Sequence, residues 1–231
     1  MAKSVVLLHG IIANAYMFEP MMDYFRYRSD LKFYPLNFYD NRPFSIAEWG
    51  RRRDDHIEWV MGQNPKDEII LLGHSFGGLK AVRACEKFGG RISKLILLAP
   101  AAPKGESFLT FRHVLRFLKL FHKFIFKMPI VIKDFDAFDS EYEIKIPDTH
   151  YSWEHTQVIW DIMSKTPEIK WETLKKVPEK ILVSGEKDLL VPAKLAKVYV
   201  EKGGFKHFLL PNIGHSVVQS EECFRIIKGL I

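Results

Sequence analysis

Six residues, Gly73-His74-Ser75-Phe76-Gly77-Gly78, constrain this chain more than any other stretch. They follow a short apolar run, Ile69 to Leu72, and precede a segment, Leu79 to Phe88, that reads as helix. A strand that passes straight into a helix through G-x-S-x-G must bend very sharply. The serine at the apex takes a strained backbone geometry and projects its hydroxyl clear of both elements. Gly73 and Gly77 carry no Cβ, so strand and helix can close in on either side. The bend also puts the N–H of Phe76 at a helix N-terminus, where the peptide dipoles favour an anion. G-x-S-x-G alone also occurs in ordinary loops and helix starts. Its meaning depends on whether the rest of the chain supplies a base, an acid and a second anion-binding group.

The flanking sequence supplies the frame for such a bend. Apolar runs at 5–9, 31–36, 68–72 and 92–98 read as strands, and two more follow at 180–184 and 205–210. Unbroken Val, Ile and Leu runs suit strands of a parallel sheet buried on both faces. Helical segments alternate with them at about 18–28, 45–62, 79–88, 193–202 and 217–230. Ser45 with Glu48 forms a capping box for the second, and Gly89-Gly90 and Gly203-Gly204 are read as helix stops. The alternation predicts an α/β fold: an open, mostly parallel sheet of about six strands with helices on both faces. Ligands of such sheets bind at the carboxyl ends of the strands. His9-Gly10 and Ser75 both lie just past strand ends, hence on one edge.

The rhythm stops after Pro100 and resumes at Glu179. Residues 1–100 and 178–231 are therefore read as the core domain, and 101–177 as a helical cap insertion. The insertion places Arg112, Arg116, Lys119, Lys123 and Lys127 at helical spacing on one face, with Phe and Leu around them. A second helix is expected at 152–165, carrying Trp153 and Trp160. Charge is polarised across the insertion. Between Lys104 and Lys133 seven Lys or Arg face one acid, and between Asp134 and Glu172 ten acids face three lysines. The net charge of +6 thus resides in the first of these segments. The basic stripe has three readings: a solvated face neutralised by the acidic stretch, a docking face for an anionic membrane surface, or one for an acidic carrier protein. No recognition motif accompanies the charge, which argues against a nucleic-acid partner.

No apolar run approaches the roughly 20 residues that span a bilayer, and no secretory signal is visible before Val5. Two cysteines, Cys85 and Cys223, make no disulfide framework and read as reduced packing residues. These features point to a cytoplasmic chain.

With the order of motifs in hand, the chain resembles the α/β-hydrolase family, of the capped serine-hydrolase kind, over nearly its whole length. His9-Gly10 after the first strand is similar to the family's oxyanion loop, and Gly73-His74-Ser75-Phe76-Gly77 to its nucleophile elbow. Gly185-Glu186-Lys187-Asp188, with the following Val191-Pro192, resembles its acid station, and Gly214-His215 its base station. The order Ser, Asp, His is the family's, and its cap follows the strand that here is 92–98. The family often begins with two further antiparallel strands, which the resemblance does not find here. A serine at the elbow also sets the chain apart from the haloalkane dehalogenases and epoxide hydrolases, which use aspartate there.

The resemblance implies a catalytic triad of Ser75, Asp188 and His215, with no metal and no cofactor. Serine needs a base to take its proton as it attacks, and an imidazole, titrating near neutrality, can accept and return one. The N–H groups of Phe76 and Ile11 would form the oxyanion hole. His9 and His74 are expected to be structural. So are His56, His113, His122, His150, His155 and His207, on the surface or in the core. Asp161 is a weaker rival acid, and Asn14 a candidate for tightening the oxyanion loop. The expected activity is cleavage of carboxylic esters of apolar acyl groups, of carboxylesterase or monoacylglycerol-lipase type. Phe121, Trp153 and Trp160 would line the acyl pocket. A thioesterase or carrier-linked acyl esterase shares this chemistry, and a hydrolase-fold binding protein with little turnover shares this fold.

Overall fold

A run that is apolar at every position can bury both of its faces only in the middle of a layered structure. Four runs, 5–8, 69–72, 95–98 and 181–183, are buried here at every residue, whereas the two at the sheet's edges, 31–36 and 206–210, are only partly covered. The computed structural model describes residues 2–10, 13–37, 46–103, 168–188 and 190–231. The strands are β1 (Lys3–Leu8), β2 (Leu31–Leu36), β3 (Glu68–His74), β4 (Ile92–Leu98), β5 (Glu179–Gly185) and β6 (Lys206–Leu210). They form one sheet in the order β2-β1-β3-β4-β5-β6, every neighbouring pair parallel. Leu8 lies beside Gly73, and His74 beside Leu98.

The two side-chain rows of each strand face different helices. Val6, Leu8, Ile69, Leu71, Leu95, Leu97 and Leu182 point to one side. There they meet Ile57 and Val60 of α2 (Ile46–Gln63), Leu79, Val82 and Cys85 of α3 (Phe76–Phe88), and Tyr199 of a later helix, α4 (Ala196–Gly203). Val5, Leu7, Ile70, Leu72, Ile96, Leu98 and Val183 point to the other side. They meet Met21 of α1 (Glu19–Tyr24) and Cys223, Phe224 and Ile227 of α5 (Glu221–Lys228). The period-2 alternation thus divides one sheet between two apolar cores, and the expected α/β architecture is the observed one.

Several local expectations are modified. Helix α3 begins at Phe76, three residues before the expected start. Gly77 and Gly78 are poor helix formers, but packing against the sheet fixes them in the first turn. The segment 217–230 is not one helix: a 3-10 turn (Val217–Gln219) precedes α5, and Ser220 caps α5 by accepting from Cys223 N at 3.2 Å. Gly204 stops α4 in the left-handed conformation, φ 70°, as glycine after a helix does. Gly89 does not: at φ −51° it carries the chain into a 3-10 turn, Gly89–Arg91. Both cysteines are free and buried, and burial pushes the Cys85 thiol up to about 12 and raises that of Cys223 too.

Ser45 and residues 104–167 lie outside the described residues. The last ten residues counted with the insertion, 168–177, are described. Ile169, Leu174 and Val177 are buried in the core that contains α3, through a 3-10 turn at Trp171–Lys176. Among the described residues no helix is long and apolar enough to cross a membrane.

Candidate active site

Strand order dictates where a site can form. From β1 the chain moves to β2 on one side, and from β3 it moves to β4 on the other. The carboxyl ends of β1 and β3 therefore flank the crevice where the winding reverses. His9-Gly10 leaves β1 there, and Ser75 leaves β3.

Ser75 sits between β3 and α3 at φ 53°, ψ −121°, a region hostile to residues with a Cβ. Three backbone hydrogen bonds hold it: Ser75 N to Leu98 O, and Gly78 N and Ala101 N to Ser75 O, each 2.9 Å. Sterics close the bend further. A Cβ on Gly73 would run into the Gly77 carbonyl, and one on Gly77 into the carbonyls of Leu8 and His9. The start of α3 is thereby pressed against the end of β1. A Cβ on Gly10 would lie 3.0 Å from that of Ser75. Phe76 opens α3 and is buried, so its N–H belongs to the helix N-terminus, where negative charge is favoured.

Asp188 and His215 come from the loops after β5 and β6. Both are buried, and His215 Nδ1 lies 2.7 Å from Asp188 Oδ2. A carboxylate only accepts, so Nδ1 carries the proton and the lone pair of the neutral imidazole is left on Nε2. The other carboxylate oxygen accepts from Leu190 N at 2.9 Å and Val191 N at 2.8 Å. This fixes the carboxylate before the histidine is considered. The two loops are stitched by Lys187 N to Ile213 O, 2.9 Å, and by Asn212 N to Glu186 Oε2, 3.2 Å. Gly185 lies so close to the carbonyls of Ile213 and Gly214 that a Cβ would collide with both.

Two further histidines flank the bend. His9 is buried and donates from Nδ1 to its neighbour's carbonyl, Gly10 O, at 2.8 Å. Burial pushes its pKa down to about 4. His74 is buried with Nε2 3.0 Å from the carbonyl oxygen of His215, and their ring centroids are 4.8 Å apart. Burial first, and His215 second, push its pKa down to about 3. Both rings are therefore neutral near pH 7. His56 lies against the Tyr34 carbonyl, and His207 Nε2 lies 2.6 Å from Ser184 Oγ, away from the bend. Asn14 accepts from Tyr16 N at 3.0 Å and caps the 3-10 turn at Ala15–Phe18.

The structure thus brings the Ser75 bend, Gly10, Asp188 and His215 to one end of the sheet. Ile11, Phe121, Trp153, Trp160, the rival acid Asp161 and the basic stripe from Arg112 to Lys127 lie outside the described residues. Among the described residues no three His, Cys, Asp or Glu side chains are grouped to hold a metal ion. The contact of His74 with His215 was not anticipated. Its acceptor is a backbone carbonyl 141 residues away, and no side-chain pattern marks such a partner.

The six-stranded parallel sheet carries the strained serine at its strand-to-helix bend and the buried Asp–His pair on its last two loops. Residues 5–225 match the model of the Alpha/beta hydrolase family, and the chain belongs to that family. Solved structures share the fold. An esterase from Exiguobacterium antarcticum is 21% identical with a TM-score of 0.72, over 99% of this chain and 91% of that one. A lipase-esterase related protein from Clostridium acetobutylicum is 14% identical with a TM-score of 0.71, over 99% and 94%. Naproxen esterase (carboxylesterase NP) from Bacillus subtilis is 16% identical with a TM-score of 0.62, over 100% and 84%. No curated protein matches the chain in sequence.

Proposed function

We propose that the protein is a serine hydrolase that cleaves carboxylic esters of apolar acyl groups through an acyl-enzyme on Ser75. The observation that carries this reading is the buried Asp188–His215 hydrogen bond at the sheet edge where Ser75 is held in strained geometry. Ser75 Oγ attacks the ester carbonyl as its proton passes to Nε2 of His215. The C–O bond to the alcohol then breaks, and the proton moves from Nε2 to the departing oxygen. Water attacks the acyl-enzyme, gives a proton to His215, and the acid leaves as Ser75 regains its hydrogen. Asp188 keeps the proton of the neutral ring on Nδ1 and stabilises the imidazolium. The N–H groups of Phe76 and Ile11 receive the oxyanion, an effect worth several kcal/mol where a single donor has been removed. His74 and His9 are neutral and add no second positive charge to the imidazolium.

The insertion acts as the cap in this reading, with Phe121, Trp153 and Trp160 lining the acyl pocket. The names of the similar structures, esterases and a lipase-esterase relative, support the same reaction class. Ser75→Ala is the direct test. The hydroxyl makes no core contact that folding needs, so the variant should melt with the wild type. Turnover of p-nitrophenyl butyrate should fall by about 10⁴-fold or more. An alanine variant with the wild-type rate would sink the reading. Wild-type rates on an acyl thioester, measured beside the oxygen ester, assign the leaving group.

A further inference from the structure

The two halves of the candidate site are built separately. Ser75 is placed by the backbone of β3 and α3. Asp188 and His215 are placed by two loops bonded to each other. None of those bonds sets the distance between the halves. One side chain that does cross is His74. A carbonyl oxygen only accepts, so the 3.0 Å contact means that His74 Nε2 carries a proton and donates it to His215 O. The two rings also pack at 4.8 Å, tilted by 54°.

We infer that His74 is a positioning residue: its Nε2–H, held by the carbonyl of His215, fixes the imidazole of His215 relative to the hydroxyl of Ser75. The inference rests on the hydrolase reading above and adds a residue to it. Proton transfer needs the hydroxyl oxygen and the ring nitrogen within about 2.6–3.2 Å. A displacement of about 1 Å can cost about 10²-fold in rate. The bend is rigid, whereas residues 211–216 form an irregular loop. A tie from the bend to the backbone of the base itself is the shortest way to couple them.

Packing alone does not account for an imidazole here. The other nitrogen, Nδ1, is buried with no hydrogen-bond partner. A buried acceptor left unpaired is destabilising, and a phenyl ring would fill the space without it. The ring has what a donor at this point requires. It keeps an N–H on Nε2, and burial keeps it uncharged while its neighbour becomes imidazolium. A lysine or arginine would supply the N–H but repel that charge.

Three variants separate donor from filler. His74→Gln retains an N–H with about the reach of Nε2, His74→Asn retains one that is too short, and His74→Phe retains the ring and loses the donor. Each is measured for melting temperature, for kcat and KM on p-nitrophenyl butyrate, and for the rate of Ser75 labelling by a fluorophosphonate. The Gln variant should stay within about fivefold of wild type. The Asn and Phe variants should lose about 10- to 100-fold in kcat, with a parallel loss in labelling and KM within about twofold. If the Phe variant does not fold, the Gln and Asn pair decides. Wild-type kcat in a folded Asn or Phe variant overturns the inference. So does a Gln variant as slow as the Asn variant, or a loss carried by KM. In each of those cases an active wild type leaves the hydrolase reading standing. A wild type that neither turns over the ester nor labels at Ser75 overturns both.

Discussion

The bend at Ser75 and the loops that carry Asp188 and His215 hold their side chains by different physics. The bend is fixed by exclusion: the glycine approaches at 73 and 77 leave no room for a Cβ, one at Gly10 would press on Ser75, and the serine accepts an unfavourable φ. The loops are fixed mainly by hydrogen bonds, two from backbone N–H groups to Asp188 and others between the loops. Exclusion tolerates no substitution but needs no particular side-chain chemistry. Hydrogen bonds tolerate small changes of shape but require the right donor and acceptor. A change at a glycine of the bend should therefore act on the fold, and a change at Asp188 on the reaction.

Gly77→Ala and Asp188→Asn test this contrast with the largest expected effects. The new Cβ at 77 would meet the carbonyls of Leu8 and His9. Backbone on both sides must move, at a cost of about 3 kcal/mol or more, so the variant should melt well below wild type or fail to accumulate folded. In Asp188→Asn the amide oxygen can still accept from Leu190 N and Val191 N. The amide nitrogen then faces Nδ1 of His215 and forces the ring proton onto Nε2, where no base remains. Activity should fall by about 10³–10⁴-fold with little change in melting temperature. A stable Gly77→Ala, or an unfolded Asp188→Asn, would break the comparison.

The bend side should also carry an acid sensitivity. In an unfolded chain histidine takes up a proton near pH 6.5, at about its unperturbed pKa. Folded His9 and His74 resist it until about pH 4 and about pH 3, because both are buried. The unfolded state therefore binds more protons through this window. The stability due to the neutral buried rings is whole above about pH 6.5 and is lost as pH falls toward the folded values. Each ring contributes a slope of about 1.4 kcal/mol per pH unit inside the window. Urea denaturation at pH 7, 6 and 5 should show the fall, and His74→Gln should remove about half of it. Equal stability at pH 7 and pH 5 would mean that the rings are not held neutral by the fold.

How legible each half was in the sequence follows the same division. Exclusion is written in glycines, so the spacing of Gly73, Ser75 and Gly77 after an apolar run located the bend. All six strands were legible because each carries a run of Val, Ile, Leu or aromatic residues, even where a polar residue such as Lys32, Lys94 or His207 falls within the strand. Ser220 was not legible as a cap, since Val217-Val218 before it looks helical and the segment is divided by the extended backbone of Ser220 and its bond to Cys223 N. Nor was the burial of Ile169, Leu174 and Val177 beside α3, because a short 3-10 turn has too little periodicity to show which domain covers it. The link from His74 to a carbonyl lies beyond sequence for a stronger reason. Every residue offers the same carbonyl, so the partner is chosen by topology alone.

The smallest effect isolates the strain itself. At φ 53° and ψ −121° Ser75 occupies backbone territory that glycine enters freely and other residues enter at a cost of about 1–3 kcal/mol. Ser75→Ala keeps the Cβ and hence the strain; Ser75→Gly removes it. Glycine also loosens the unfolded chain, which offsets part of the gain by about 0.4–1 kcal/mol. The glycine variant should therefore be more stable than the alanine variant by about 1 kcal/mol, and both should be inactive. Guanidinium denaturation of the two, under one buffer, reads the difference directly. If alanine were the more stable, the bend would not be storing strain at residue 75. The three hydrogen bonds to the Ser75 backbone would then suffice to set its conformation, and bend and loops would be held in the same way.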